Sequence, residues 1–311
     1  MWVRRRAIRA SGARSAALSA LGAAALASFL TLLATAPASA DELSRMGDEF
    51  GNRRTLASWR SVYQDEGWGA NQLEGWNIGA TRRGWMMLMP YTSTWYQDYR
   101  GALVYKPVQG DFVVTTRLMV NRRGGAGPPR SPFSLAGLMI RTPRSITPQT
   151  WTAGGENYVF LSLGAADSPG SYQYEVKTTV DSNSQLLTSA ATGGTVLLQI
   201  ARIGSHIILL RQAPGGRWVV HQRYSRPDFP VTLQVGLTVY TDWPTASSLT
   251  PFDHNSTVIL TGNPDLVALA DYVRYHRPRI PVRLRGREFS NPGAVSDQEL
   301  LSFLGARAAG R

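Results

Sequence analysis

The sequence predicts an all-β domain, an antiparallel sandwich or barrel, and three observations predict it. Apolar runs of strand length recur through the chain, each closed by Gly, Pro, Asn or Ser. Helical periodicity is nearly absent before the C-terminus. The chain of 311 residues carries no cysteine, so disulfides, thiolate nucleophiles and zinc-thiolate or iron–sulfur sites are excluded, and an apolar core must hold the domain together.

In chain order, residues 1–40 come first and read as a cleavable signal peptide. Arg4, Arg5, Arg6, Arg9 and Arg14 form a positive region, an Ala/Leu-rich apolar stretch follows, and Ala38-Ser39-Ala40 supplies the small residues that a signal peptidase accepts. An uncleaved anchor is the alternative, since the run approaches bilayer length, but its many Ala and Ser residues make it weakly hydrophobic. No second apolar span of membrane length follows, so no integral membrane segment is expected after signal cleavage. The expected location is secreted or periplasmic. Without the five leader arginines the 33 basic residues become 28 against 21 acidic, a net +7 in place of +12. Lys106 and Lys177 are the only lysines. No run of like charges occurs beyond the leader, so nucleic acid is not an expected partner; the expected partner is a polysaccharide or glycan, and the positive balance leaves an anionic polysaccharide or a cell-surface partner open.

The strands follow. Asp111 to Val120 sets Phe112, Val114, Leu118 and Val120 on one parity. Ala136 to Arg141 is a compact apolar run, while Asn157 to Leu163 and Ser171 to Val180 alternate as half-buried strands do. Val196–Ile203, a Gly204-Ser205 turn, His206–Arg211, a second turn at 213–216 and Arg217–Tyr224 read as a three-stranded meander. Val231–Thr241 and Leu269–His276 supply two late strands. Gly137 and Gly236, inside strand patterns, imply bulges or close backbone approach. After residue 278 the composition turns basic and Pro-punctuated, with Arg283, Arg285 and Arg287. Ser296 and Glu299 then form a capping box before a short amphipathic helix. The expected organisation is a leader at 1–40, a sandwich domain at 41–278 and a basic tail with a helix at 279–311.

Five segments carry a resemblance: GDFVVTTRLMV at 110–120, AGLMIR at 136–141, VLLQIARIGSHIILL at 196–210, VGLTVYT at 235–241 and DYVRYHR at 271–277. With DEFGNRRTLASWRSVYQDEGW at 48–68 as the opening, the stretch from Asp48 to Arg277 resembles the concanavalin A-like lectin/glucanase superfamily. Within it, the bacterial "regulation of enolase protein"-type domains are the group it is most similar to. The resemblance implies a two-sheet antiparallel jelly-roll sandwich with one face where relatives hold glycans. It also implies a structural calcium ion between the opening segment, at Asp48 or Glu49, and Asp271 in the last strand. Asp271 bonding backbone amides or pairing an arginine is the equal alternative. No other cofactor is required.

Three functions stand side by side. The first is a non-catalytic, lectin-like carbohydrate-binding module. Aromatic density supports it, because Tyr91, Trp95, Tyr96 and Tyr99 lie in an otherwise polar stretch and aromatic faces stack on sugar C–H faces. Asp98 and Arg100 are expected to fix the orientation of the sugar, while Trp59, Trp76 and Trp85 read as core. The second is a glycoside hydrolase or polysaccharide lyase, although the chain lacks the E-x-D-x-x-E strand motif, its acids are scattered and its four histidines (His206, His221, His254 and His276) stand apart. The third is an envelope scaffold, in which the binding face is filled by the protein's own side chains or covered by a loop such as 123–133.

Overall fold

The computed structural model describes residues 41–305; residues 1–40, on which the expected signal peptide falls, and the last six residues lie outside the described residues. In chain order the strands are β1 (Arg60–Ser61), β2 (Leu73–Ile78), β3 (Met86–Pro90), β4 (Ala102–Gln109), β5 (Phe112–Asn121), β6 (Ser134–Arg141), β7 (Tyr158–Ala165), β8 (Gln173–Val180), β9 (Asn183–Ala190), β10 (Thr195–Ile203), β11 (His206–Gln212), β12 (Val219–Ser225), β13 (Thr232–Tyr240) and β14 (Val267–His276). Among the described residues three short α-helices lie between strands, α1 (Val62–Asp65), α2 (Trp243–Ala246) and α3 (Pro251–Ser256), and α4 (Asp297–Leu301) follows the last strand. One sheet runs β1-β4-β13-β6-β7-β8-β9 and the other β12-β11-β10-β5-β14-β3-β2. Every pairing is antiparallel. The architecture is a two-sheet antiparallel jelly-roll sandwich.

Alternation builds the core. Val159, Leu161 and Leu163 of β7, Leu233, Val235, Leu237 and Val239 of β13, and Phe112, Val114, Leu118 and Val120 of β5 all enter the cluster between the sheets. The meander of β10, β11 and β12 turns at Gly204, whose φ of +58° suits glycine. A bulge between Leu209 and Leu210 shifts the register with β12. Gly236 answers to close backbone approach, since a Cβ there would meet the Val104 carbonyl oxygen at 2.0 Å. No register shift marks β13, so Gly236 reflects strand contact without a bulge.

One expectation needs correction. The strands β6, β7 and β8 are not half in solvent: every residue of β6 and of β7 is buried, as is all of β8 but Val180. Tyr158 and Phe160 of β7, Met139 of β6 and Tyr240 of β13 point away from the inter-sheet core into a second cluster. The segment around α1 and the 94–101 loop cover that outer face through Val62, Tyr63, Trp68 and Trp95. The second sheet is covered in part as well. Leu284, Phe289, Val295, Leu300 and Leu304 pack with Val113, Ala201, Ile203, Ile208 and Leu210, so the basic segment and α4 dock on the sandwich. The capping box of Ser296 and Glu299 is present in full.

Candidate functional site

Antiparallel register arranges the outer face of the first sheet in rows. One row runs Tyr105–Gly236–Met139–Phe160–Lys177–Leu186, and the next runs Gln234–Arg141–Tyr158–Thr179–Ser184. The 94–101 loop lies across these rows. Its Trp95 is fully buried, with its ring 5.3 Å edge-on from Tyr158. A Cβ on Gly101 would strike that ring at 2.8 Å, which is why glycine closes the loop.

Beneath the loop lies an ionic cluster. Arg141 donates through Nε and Nη2 to both oxygens of Glu156, at 2.8 and 3.0 Å, and through Nη1 to Glu66 Oε1 at 2.7 Å and Gln234 Oε1 at 2.8 Å. Arg144 adds a bond to Glu156 at 2.7 Å. Arg100 donates to the other oxygen of Glu66, and its guanidinium lies 4.1 Å over the Trp68 ring. Burial alone would raise the pKa of Glu156, but Arg141, with Arg100 and Arg144, outweighs it and holds the group at about 2. Two carboxylates do converge here, and both are locked by guanidinium groups. Glu156 therefore stays ionised at neutral pH and cannot serve as the general acid that glycoside hydrolysis requires.

At the β8–β9 end of the same face a cleft of about 210 Å³ opens, lined by Thr94, Tyr96, Phe133, Lys177, Leu186 and Trp243. Trp243 is its central ring, 5.3 Å edge-on from Tyr96 and 6.3 Å from Phe133. Tyr99 braces Trp243 from 6.1 Å, and its hydroxyl donates to the Leu249 carbonyl at 2.7 Å. Lys177, at the floor, donates to the Trp95 carbonyl at 2.5 Å and lies 2.8 Å from Glu175. Gln97, Phe133 and Asp242 take left-handed backbone conformations, with φ of +51°, +50° and +64°, in the loops that present these rings. Such residues cost on the order of 1–3 kcal/mol each and cluster at functional sites. His254 and Asn255 tie the loop down. Thr94 N donates to His254 Nε2 at 3.1 Å, so Nδ1 carries the proton shared with Asn255 Oδ1 at 2.9 Å. Asn255 also bonds Arg100 N at 2.9 Å and the Asp98 carbonyl at 2.8 Å.

Of the residues expected to bind sugar, Tyr96 lines this cleft and Tyr99 supports it. Trp95 and Arg100 are corrected to the interior, the first by packing on Tyr158 and the second by its bond to Glu66. Asp98 is a loop staple that accepts from Gly154 N at 2.9 Å and Ser182 Oγ at 2.5 Å. Tyr91, half-buried after β3, is not among the lining residues. Trp243 and Phe133 are the rings that sequence reasoning does not reach. The signal for Trp243 is an isolated tryptophan in an Asp-Trp-Pro turn, and Phe133 ends the loop at 123–133.

The implied calcium site does not fit. Asp271 pairs with Arg117 at 3.3 Å. The Asp48 carboxylate accepts from Phe50 N at 2.9 Å and Trp59 Nε1 at 3.0 Å, so internal donors occupy both of its oxygens. Among the described residues no group of three His, Cys, Asp or Glu side chains could hold a metal ion. His206 and His221 do not share a face: His206 meets Phe289 and Glu288 of the C-terminal segment, whereas His221 meets Tyr174 of the core. Tyr174, His221 and Arg211 form the residue set of a lyase. However, Arg211 Nε donates to His221 Nδ1 at 2.9 Å, so the lone pair a base needs is already engaged.

No family model and no curated protein matches this chain. Solved structures do. The GH43 protein BlXynB from Bacillus licheniformis is 13% identical, with a TM-score of 0.50 over 74% of this chain and 39% of its own. A functionally unknown protein from Saccharomyces cerevisiae is 13% identical over 72% and 98%, with a TM-score of 0.46. Lectin II from Ulex europaeus is 10% identical over 76% and 100%, with a TM-score of 0.45. The chain spans about two fifths of the length of the GH43 protein it matches. At this identity the likeness concerns the sandwich fold, and function has to be argued from the site.

Proposed function

We propose that the chain is an exported glycan-recognition module whose cleft takes one sugar ring against Trp243 and Tyr96. The observation that carries the proposal is the cleft itself: three converging aromatic rings, with Thr94 and Lys177 also in its lining. Its volume lies below the roughly 300–1,000 Å³ of drug-sized pockets, which favours a single ring over an oligomer. The guanidinium-locked state of Glu66 and Glu156 supports recognition over hydrolysis, and the engaged His221 lone pair supports it over elimination. The five motif segments support kinship with the "regulation of enolase protein"-type domains. The sandwich fold agrees with a carbohydrate ligand without specifying one.

Protein recovered after export from a host expressing the full chain tests both halves of this reading. On a glycan array, binding to at least one glycan class is expected, weakened at least tenfold by Trp243→Ala and by Tyr96→Ala. Leu187→Ala, an exposed position on β9 outside the cleft, should leave binding unchanged. Binding that survives both cleft substitutions, or no binding to any glycan by the folded wild type, would count against the cleft. Intact mass of the same material should show a chain that begins at Asp41. The described fold uses that residue at once: Asp41 Oδ1 accepts from Leu43 N at 3.1 Å, and Oδ2 accepts from Arg277 N. A mass that retains the leader would overturn cleavage.

A further inference from the structure

Outside the cleft, the arginine-bearing segment on the outer face of the second sheet has no assigned role. Arg279, Arg283, Arg285 and Arg287 are all exposed. Acids nearby are committed elsewhere. Glu42 pairs with Arg277, Glu288 lies 3.0 Å from His206, and Asp297 pairs with Arg223. Only Arg283 has a carboxylate within reach among the described residues, at 4.0 Å from Glu299, and that carboxylate is already engaged by Ser296 in the capping box.

The backbone that displays these arginines is rigid. Leu284 and Phe289 are anchored in the apolar cluster over β10 and β11, with Ile280 packed against it. Turn bonds join Leu284 N to Pro281 O at 2.9 Å, Arg285 N to Val282 O at 3.2 Å and Arg287 N to Leu284 O at 3.2 Å. Arg223 clamps the far side, donating to the Phe289 carbonyl at 3.2 Å and the Val295 carbonyl at 2.6 Å. Arg279, Arg285 and Arg287 are therefore held out without an ion pair among the described residues, and Arg283 with only the long one to Glu299, so binding costs little backbone ordering.

We propose that this segment is a second binding surface, for a carboxylate-bearing polysaccharide. The planar fork of arginine matches carboxylates in bidentate fashion. A membrane surface is the poorer fit, because interfacial binding needs an apolar face beside the charges, and Val282 is the one large apolar side chain exposed in this turn. The surface lies on the outer face of the second sheet, whereas the cleft lies on that of the first, so the two act independently.

Retention of the exported protein on immobilised polygalacturonate tests this. The wild type should bind in 50 mM salt and weaken by 200 mM, as screening of exposed charges requires. The variant Arg283→Ser/Arg285→Ser/Arg287→Ser should bind at least tenfold more weakly with an unchanged melting temperature. Should it fail to fold, Arg285→Glu alone should still give a clear loss. Trp243→Ala should bind polygalacturonate like the wild type, so failure of the cleft and failure of this surface are told apart. Undiminished binding by the arginine variants would overturn the proposal. So would wild-type binding to phosphatidylglycerol vesicles or duplex DNA in the absence of binding to polygalacturonate.

Discussion

Arg141→Met is expected to lower the free energy of unfolding by about 3–5 kcal/mol, the usual cost of breaking a buried ion cluster from one side. The reason lies in what remains. Glu156 Oε2, Glu66 Oε1 and Gln234 Oε1 each lose the donor that Arg141 supplied, and all three residues are buried. An unsatisfied buried acceptor costs about 1–3 kcal/mol. The remaining charges still pair, Glu66 with Arg100 and Glu156 with Arg144, which keeps the loss from being larger. Arg144→Met makes the contrast. Glu156 Oε1 would keep Arg141 Nη2 at 3.0 Å, and a loss of about 1 kcal/mol is expected. Urea unfolding of the two variants checks both values. An Arg141→Met protein within about 1 kcal/mol of the wild type would show that the cluster contributes little. The cluster also joins the α1 segment, the 94–101 loop and the segment before β7, so its loss should weaken glycan binding along with stability.

This cluster marks the boundary of what can be read from the chain alone. Strand positions from β5 onwards are legible because Val, Ile, Leu and Phe alternate there, and the Gly204 turn and the Ser296 cap follow local rules. β9 escapes such a reading because NSQLLTSA is polar on both faces, as an edge strand can be. β3 escapes it because MMLMP lacks the β-branched residues that signal strands. Glu175 and Lys177 read as the solvent side of an alternating strand, and Arg141 as the end of a compact apolar run. What buries them is the covering loops, contributed by residues distant in sequence, and no local pattern announces that. The binding site divides in the same way. Aromatic density points to the correct loop and to Tyr96. But Trp95 turns inward because Gly101 makes room for its ring, and Trp243 reaches the cleft only because the 241–243 turn meets the 93–96 loop across the fold, through the bridge of Ser93 with Thr241.

The second large effect concerns acid. His254 is buried beneath the cleft loop, and burial, with a contribution from Arg100, lowers its pKa from 6.5 to about 4. Above pH 6.5 the ring is neutral in both the folded and the unfolded chain, and stability is at its full value. As pH falls from 6.5 toward 4, the unfolded chain takes up a proton that the folded protein refuses, so stability falls. The total is about 3 kcal/mol, since each tenfold difference in proton affinity between the two states is worth roughly 1.4 kcal/mol. Below pH 4 the folded ring protonates as well and this slope ends. His221, also lowered to about 4 by burial and Arg211, adds a loss of the same sign. Glu156 acts in a lower window, where stability is lost as pH falls from about 4.5 toward 2. Thermal melts at pH 7 and pH 5 should therefore separate in the wild type and draw closer in His254→Gln, which starts less stable but lacks this proton. Equal separation in the two proteins would exclude His254 as the titrating group. Its Nε2 accepts the Thr94 amide and its ring packs 5.2 Å from Tyr99, so protonation ejects the acceptor that fixes the cleft wall. Glycan binding by the folded protein should accordingly hold down to about pH 5 and weaken as pH approaches 4, where the ring itself takes up the proton.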